Sequence, residues 1–217
     1  MSEDELNRIE KKIASELEPF ITGIFSMDAE SRNFELFKQA YSDFIPRLLR
    51  SMKIFDFITR DFGETTNFLA KEEIHWLFGY LGLVESLGNS IVDMVVMLLV
   101  ANGRDFHIES LRRVPRIRHV TSIEDLEKER VSLGTKLRFL EDNGIEKLAS
   151  VVDSDLRNRI AHLNFDVKED RVYIKGESAV LVIGIGLKKL IRAFKTVSGL
   201  IAQLAKDMGL TPRIEVR

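Results

Sequence analysis

Three side chains in the segment DLRNRIAH, residues 155–162, have the chemistry to act together on a phosphodiester: Arg157, Asn158 and His162. An imidazole titrates near neutral pH, so His162 could take a proton from a 2′-hydroxyl or give one to a leaving oxygen. A guanidinium stays charged and makes forked contacts with phosphate oxygens, so Arg157 could stabilise the charge that develops during RNA cleavage. Asn158 could orient either group. This chemistry requires no metal ion and no other cofactor.

Helical spacing predicts that these side chains share one edge of a helix. Asn158 and His162 are four residues apart and stack on the same side, because each residue of an α-helix advances by about 100°. Arg157 lies between the two faces of the helix, and its long side chain can swing toward the histidine. The apolar residues share the opposite face and are expected to point into the protein: Leu156, Ile160 and Leu163.

A polar stripe on an otherwise apolar helix is predicted to support this site. Its members are spaced by four: Glu85, Asn89 and Asp93. Buried carboxylates are costly unless they are paired, so we expect Arg157 or Arg159 to be the partner of the stripe. The alternatives are a stripe that faces solvent and one that forms a structural ion pair. No metal site is expected, because the sequence lacks the Glu-x-x-His pairs on two helices that di-iron bundles use.

A second basic region, residues 104–119, is a candidate for RNA contact. Together with Arg159, four of its arginines are predicted to bind RNA: Arg112, Arg113, Arg116 and Arg118. Such a cluster could follow a phosphate backbone, although a run of charge is also typical of ordinary solvated surface. Phe106 is the only aromatic residue of this region, which argues against extensive base stacking.

Composition indicates a folded globular protein and excludes several classes of site. Of the 217 residues, 45% are hydrophobic and 30% are charged, which is ordinary for a globular protein. The formal net charge is -2, so binding of nucleic acid must come from local basic patches. The sequence has no cysteine, which excludes disulfides, thiolate zinc sites and a cysteine nucleophile, and fits a cytoplasmic protein.

No segment is expected to enter a membrane. The first five residues, MSEDE, lack the basic start and the apolar core of a secretory signal. The most apolar stretch, residues 91–101, has about half of the roughly 20 residues that a spanning helix needs. The helix that leads into this stretch carries the polar stripe, so the sequence predicts a buried core helix.

Hydrophobic periodicity predicts an all-α helical bundle with a short β-hairpin after the motif helix, near residues 165–175. Residues 1–70 are predicted to be an N-terminal helical extension, and residues 71–217 the main bundle. Helices are predicted over residues 2–25 with an interruption near Pro19 and Gly23, 34–62, 71–101 with a bend near Gly79 and Gly82, 123–143, 145–163 with a break near Asp153, and 177–208. Residues 104–122 are expected to form an irregular connection. The aromatic residues of the second helix recur at helical spacing, which indicates a core or subunit-interface stripe.

The sequence from Arg157 to His162, RNRIAH, resembles the R-x4-6-H motif of the HEPN superfamily in its common RNxxxH form. Residues 133–140 and the motif helix, separated by Asn143-Gly144, resemble the last two core helices of that family. The long helix that ends near residue 101 resembles an earlier core helix. The resemblance covers residues 72–176, so the main bundle is interpreted as HEPN-like.

This resemblance implies a metal-independent endoribonuclease that works as a homodimer, with the Arg and His of two subunits meeting across the dyad in one composite active site. Attack by the 2′-hydroxyl would leave a cyclic phosphate. Arg157 would bind and polarise the phosphate, His162 would serve as acid or base, and Asn158 would position them. An antitoxin-like protein is a further expected partner. Many family members in toxin–antitoxin pairs continue the motif as H-x-Y, however, whereas this chain has Leu163 and Asn164 after the histidine.

Two other functions fit the same residues. One is a non-catalytic HEPN-like dimer that binds nucleotide or RNA or serves as a protein-interaction scaffold. The other is a structural helical subunit whose Arg-rich connection contacts another protein. An enzyme requires His162 to be exposed near Arg157, whereas a scaffold could leave it paired or covered. We also expect residues 1–70 to widen the dimer interface, because the aromatic face of that region needs burial.

Overall fold

Long helices form most of the structure, a computed structural model that describes residues 1–60, 70–109 and 117–210. The helices are α1 (Glu3–Phe25), α2 (Arg32–Arg60), α3 (Ala70–Leu83), α4 (Asn89–Ala101), α5 (Ile123–Lys128), α6 (Leu133–Asp142), α7 (Glu146–Val151), α8 (Ser154–Ala161) and α9 (Ala179–Asp207). The strands are β1 (His107–Glu109), β2 (Ile117–His119), β3 (Asp166–Lys168), β4 (Arg171–Ile174) and β5 (Glu177–Ser178). The all-α class that the sequence predicts is confirmed.

The first helix begins with a capping box and continues through a proline. The Ser2 hydroxyl accepts a hydrogen bond from the Glu5 N–H, and the Glu5 carboxylate accepts one from the Ser2 N–H at 2.7 Å. The predicted interruption near Pro19 is wrong, because α1 includes this proline. A proline inside a helix costs about 3 kcal/mol, and the burial of Leu17 and Ile24 on either side offsets that cost.

Gly23 allows α1 to approach the end of α4 closely. A Cβ atom at this position would lie 1.9 Å from Oδ1 of Asn102. The Asn102 amide donates hydrogen bonds to the carbonyls of Phe20 and Leu98, both at 2.9 Å, and so ties the two helices together. The glycine, predicted to interrupt α1, provides room for this contact instead.

The aromatic face of α2 is buried in the core of its own chain. Phe37 and Phe44 are fully buried, and Tyr41 is nearly so. They belong to the same hydrophobic cluster as Ile13 of α1 and Leu190 of α9. The predicted core stripe is confirmed for this first half of the helix, whereas Ile54 further along is exposed. The expectation that residues 1–70 widen a dimer interface stays a prediction. The division of the chain at residue 70 stays a prediction.

The helix predicted over residues 71–101 is present, but its irregularity lies after the glycines that were expected to bend it. α3 and α4 are joined by a π-helical turn, Val84–Gly88. Such turns are rare and are frequently found at functional sites. Beyond the turn, α4 lies at the centre of the core, and every side chain from Ile91 to Leu99 is buried.

This central helix also explains the strongest apolar signal in the sequence. The segment Glu72–Ala101 is long and apolar enough to cross a membrane. In its most apolar window, however, 78% of the residues are buried inside the protein, which is typical of the core helix of a soluble protein. The prediction of a buried core helix is confirmed.

Backbone breaks divide two of the predicted helices. The helix predicted over residues 123–143 is instead the pair α5 and α6, because Arg130 has a left-handed backbone with a φ of 50°. Ser132 then caps α6 by accepting a hydrogen bond from the Thr135 N–H at 3.2 Å. The helix predicted over residues 145–163 divides near Asp153, as expected, into α7 and α8.

The hairpin predicted near residues 165–175 is confirmed, and a third strand extends it. The antiparallel order is β3-β4-β5. The turn residues between β3 and β4, Glu169 and Asp170, both have a positive φ, as in the two-residue turns that favour hairpins. Residues 104–122, which were expected to be irregular, contain a second antiparallel pair, β1 and β2, whose strands of three residues are too short for a periodic pattern to predict them.

Candidate functional site

The motif helix α8 presents its apolar face to the core. The Asp153 carboxylate caps the helix by accepting a hydrogen bond from the Leu156 N–H at 2.9 Å. Leu156 and Ile160 are buried, as the sequence predicts. Leu163 was expected on the same face, and this expectation is wrong. Its side chain is 62% exposed, because the helix ends before it.

A Schellman motif ends α8 directly after the histidine. The Asn164 N–H donates to the carbonyl of Arg159 at 2.8 Å, and the Leu163 N–H donates to the carbonyl of Ile160 at 3.1 Å. Leu163 has a φ of 55°, at a position where glycine is usual. The chain therefore turns away immediately after His162, which leaves the imidazole at the exposed end of the helix.

Two neighbours hold the guanidinium of Arg157. Its Nε and Nη2 atoms contact the Glu85 carboxylate, and its Nη1 atom donates to Oδ1 of Asn158 at 2.8 Å. The side chains of Arg157 and Glu85 are 32% and 39% exposed, so solvent reaches the pair. A guanidinium carries more N–H donors than these contacts use. Donors on Nη1 and Nη2 therefore remain for a further anion.

Glu85 reaches Arg157 from the π-helical turn between α3 and α4. The predicted pairing of the polar stripe with Arg157 is thus confirmed for its first member. The stripe does not continue along the site, because Asn89 and Asp93 contact α6 instead. The turn divides the stripe into a part that serves α8 and a part that serves the core.

His162 is exposed, and its ring forms no hydrogen bond or ion pair with any residue that the structure describes. The His162 N–H donates to the carbonyl of Asn158 at 3.0 Å, so these residues lie on successive turns. Asn158 is also exposed and contacts the Arg157 guanidinium through Oδ1. Asn158 therefore contacts the Arg157 guanidinium and precedes His162 by one helical turn, and all three predicted site residues are reached by solvent.

Arg159, which is predicted to bind RNA, is paired within the chain. Its Nε atom donates to Oδ2 of Asp155 at 3.1 Å, and Nζ of Lys175 donates to the same oxygen at 2.7 Å. Hydrogen bonds from Lys175 and Arg159 hold the pKa of the Asp155 carboxyl below its ordinary value. Arg159 is thus not the partner of the polar stripe, because Asp155, one helical turn away, holds its guanidinium.

A buried ion pair occupies the core side of the polar stripe. Nζ of Lys136 lies 2.5 Å from Oδ1 of Asp93 and donates to Oδ1 of Asn89 at 2.9 Å. Both charged side chains are almost fully buried. Burial raises the pKa of the Asp93 carboxyl, and the nearby Lys136 and Arg47 only partly oppose that shift.

Lys136 is a buried structural residue that the sequence analysis missed. It lies on the inner face of α6 together with buried leucines at helical spacing: Leu133, Leu137 and Leu140. A lysine at such a position is unusual, because ammonium groups are almost never fully buried without a partner. Its place among the leucines was the signal that could have predicted a buried carboxylate partner.

Glu73 is a second missed residue, and it attaches the hairpin to α3. Its side chain is fully buried, and its carboxylate accepts hydrogen bonds from the Val172 N–H at 2.6 Å and from Nη1 of Arg171 at 2.9 Å. These contacts fix β4 against the helix that runs into the π-helical turn. The adjacent Glu72-Glu73 pair gave no sign of which carboxylate is buried.

The Arg-rich connection is described only in part. Arg112, Arg113 and Arg116 lie outside the described residues, as does the side chain of Arg118, whose backbone belongs to β2. At the described end of this ribbon, Nδ1 of His119 lies 2.7 Å from Oδ1 of Asp105, and Nδ1 of His107 lies 3.8 Å from the other oxygen. RNA contact by the arginines stays a prediction.

Within the described ranges, no group of three or more His, Asp or Glu side chains is arranged to hold a metal ion. Comparison with known proteins gives no family for the chain. No family model matches the sequence, and neither a curated protein nor a solved structure matches this chain. The functional argument therefore depends on the geometry of the site.

Proposed function

We propose that this chain is a metal-independent endoribonuclease of the HEPN type that acts as a homodimer in the cytosol. One observation carries the proposal: an exposed imidazole without a partner among the described residues lies one helical turn from an asparagine that contacts a guanidinium of fixed direction. A covered or ion-paired histidine would have favoured a scaffold. His162 is exposed, and a group that exchanges protons with a substrate has to be accessible to it.

The proposed reaction is an internal transfer within one RNA strand. The 2′-oxygen attacks the adjacent phosphorus, the bond from phosphorus to the 5′-oxygen breaks, and a 2′,3′-cyclic phosphate forms. One His162 takes the proton of the 2′-hydroxyl, and His162 of the second subunit gives a proton to the departing 5′-oxygen. Arg157 offers its remaining N–H groups to the phosphate oxygens, where negative charge increases in the transition state.

Exposed apolar side chains around α8 support the homodimer. Four of them are Phe78 on α3, Leu163 after α8, Val167 on β3 and Leu181 on α9. Of these elements, α3 contacts both α8 and α9, and β3 pairs with β4, which also contacts α3. Exposed large apolar side chains at one surface are typical of an interaction site. A second copy that covers this motif-side surface would bring two histidines together. An antitoxin-like protein that covered the same surface would instead block the site.

Cleavage of mixed RNA by purified protein in the presence of a chelator tests the proposal. We expect His162→Ala to lower the cleavage rate by about 100-fold or more, which is the contribution of a general acid or base. His75→Ala, which removes another exposed histidine, is the matched control and should cleave at the wild-type rate. Mass spectrometry should find cyclic phosphate ends. Equal cleavage by the His162 variant and the wild type would contradict the proposal.

A second function, RNA binding without cleavage, is favoured by the contact between Arg157 and Glu85. The carboxylate neutralises much of the positive charge that would stabilise the transition state of cleavage, so binding would depend on other cations. A scaffold of this kind would bind RNA equally well with and without His162 and would leave it intact. The chelator experiment separates the two functions, because only the enzyme produces shorter RNA.

A further inference from the structure

A groove that contains none of the motif residues is lined by positively charged side chains from three helices. It has a volume of about 730 Å³ and lies between the first half of α1, the start of α7 and the first third of α9. We call it the basic groove and define it by its positive side chains: Arg8, Lys12, Lys147 and Lys189. Ile9 and Ile185 contribute apolar surface between these cations.

The carboxylates near the basic groove are already engaged. Glu5 lines the groove but accepts the Ser2 N–H at 2.7 Å as part of the α1 capping box. Glu16 accepts the Lys147 backbone N–H at 2.9 Å and lies 3.6 Å from Nζ of Lys12. Glu3 and Glu10 of α1 both form ion pairs with Arg192 of α9.

Lys147 and Lys189 consequently have no carboxylate partner among the residues that the structure describes. Arg8 interacts with the Glu5 carboxylate, whose pKa it helps to lower. Lys147 and Lys189 are half-buried, so their positions are set by the walls of the groove rather than by free rotation in solvent. The chain as a whole has a net charge of -2, so this concentration of positive charge is a local feature. Like charges held together repel each other, and a bound polyanion would relieve that repulsion.

The arrangement fits an extended ligand better than a single phosphate. Arg8 and Lys12 lie one turn apart on α1, about 6 Å along the helix axis. Lys147 and Lys189 face them from two other helices. We propose that the basic groove binds the sugar–phosphate backbone of a single RNA strand, with its isoleucines against the sugars. This inference deepens the proposed function, on which it rests, by assigning the N-terminal helix to substrate binding.

Binding of an uncleavable strand tests this inference separately from cleavage. The probe is a short fluorescent 2′-O-methyl oligonucleotide, which has no free 2′-hydroxyl, and anisotropy is measured with the full chain. We expect K147Q/K189Q to weaken binding by about tenfold. The salt dependence of binding should also fall, because a protein that contacts fewer phosphates displaces fewer counterions from the RNA. The matched control is K38Q/K128Q, which removes the same charge from two exposed lysines paired on α2 and α5. The control should bind like the wild type.

Arg8→Gln, at an exposed position of α1, provides a second variant if the half-buried lysines affect folding. It should weaken binding in the same direction. Equal binding by the wild type and all groove variants would overturn the inference. Displacement of the probe by ATP at a matched phosphate concentration would also overturn it, since the groove would then be a mononucleotide site. Failure of the nuclease proposal is a different result: His162→Ala and the wild type would both leave RNA intact, whatever the groove variants bind.

Discussion

The Glu85 carboxylate fixes the direction of the Arg157 guanidinium and also neutralises part of its positive charge. Glu85 holds one edge of the guanidinium, and Asn158 holds another, so the remaining donors have a defined orientation. An exposed arginine without such neighbours would have many rotamers to lose on binding a phosphate. Glu85 is therefore a positioning residue in the proposed enzyme, although its charge opposes the binding of RNA.

Glu85→Gln tests this role at the scale of one residue. The amide keeps the shape of the side chain but removes the charge that aligns Arg157. We expect the cleavage rate to fall by about tenfold, because misplacement of a catalytic group is costly. RNA binding should not weaken, because a negative charge has been removed. Both side chains are about one-third exposed, so the free energy of unfolding should change by less than about 1 kcal/mol.

Kinetics under single-turnover conditions and binding of the 2′-O-methyl probe measure these two effects. Glu141→Gln, on the exposed side of α6, is the charge-matched control. A Glu85 variant that cleaves as fast as the wild type would show that the carboxylate does not position the guanidinium for the reaction.

Among the elements, the end of α8 combines two unfavourable features at one residue. Leu163 has a left-handed backbone, which costs an L-residue roughly 1–2 kcal/mol, and its apolar side chain is largely exposed. Glycine would remove the backbone cost. Contact of the Leu163 side chain with a second copy of the chain would bury this apolar surface and would explain why leucine, and not glycine, occupies the position.

Leu163→Gly is expected to stabilise the monomer and to weaken the dimer. Relief of the backbone cost should raise the free energy of unfolding by about 0.5–1 kcal/mol, after the larger entropy of the unfolded glycine is taken into account. Urea unfolding at low protein concentration measures this change, and sedimentation measures the dimer. Leu163→Ala is the control, because it removes the side chain but keeps the Cβ atom. It should weaken the dimer without stabilising the monomer. A dimer unaffected by either change would place the interface elsewhere.

At this scale the sequence predicted the elements that local patterns determine. The spacing of Leu156 and Ile160 gave the inner face of α8, and alternation gave β3 and β4. The π-helical turn, β5 and the β1–β2 ribbon were not predicted, because each is too short to show a periodic pattern in the sequence. The sequence predicted Glu85 as a partner of Arg157. It wrongly placed Asn89 and Asp93 beside the same site. Their partner, Lys136, lies on the inner face of α6, where the apolar pattern drew attention away from the charge.

For the whole molecule, the buried Lys136–Asp93 pair connects four helices. Arg47 of α2 lies 3.9 Å from Asp93 of α4 and 2.6 Å from Glu127 of α5, while Lys136 belongs to α6. Removing one member of a buried pair is far more costly than removing both, because the remaining charge is left without compensation. The network therefore fixes how these helices fit together.

Lys136→Met is expected to lower the free energy of unfolding by about 3–5 kcal/mol at neutral pH. The pKa of the Asp93 carboxyl is already raised by burial, and loss of the lysine should raise it further. A group whose pKa is raised by folding contributes most stability below its unfolded pKa and loses that contribution as the pH rises through its folded pKa. The deficit relative to the wild type should therefore shrink as the pH falls from 8 to about 5.

Urea unfolding across this pH range measures the effect. The double variant D93N/K136M is the control: it should recover most of the loss, and its difference from the wild type should depend only weakly on pH. A single variant that is as stable as the wild type at pH 8 would contradict the assignment of a buried, mutually dependent pair.

The π-helical turn at Val84–Gly88 also changes the phase of the helix that contains it. An extra residue in one turn rotates everything beyond it by about 100° relative to an unbroken helix. Deleting a single residue there would restore regular winding but would turn Glu85 and the α4 core residues out of their common alignment. The number of residues in this segment, more than their types, therefore lets Glu85 face Arg157 while the side chains of α4 face the core. Insertions or deletions at this point should be tolerated far less than substitutions.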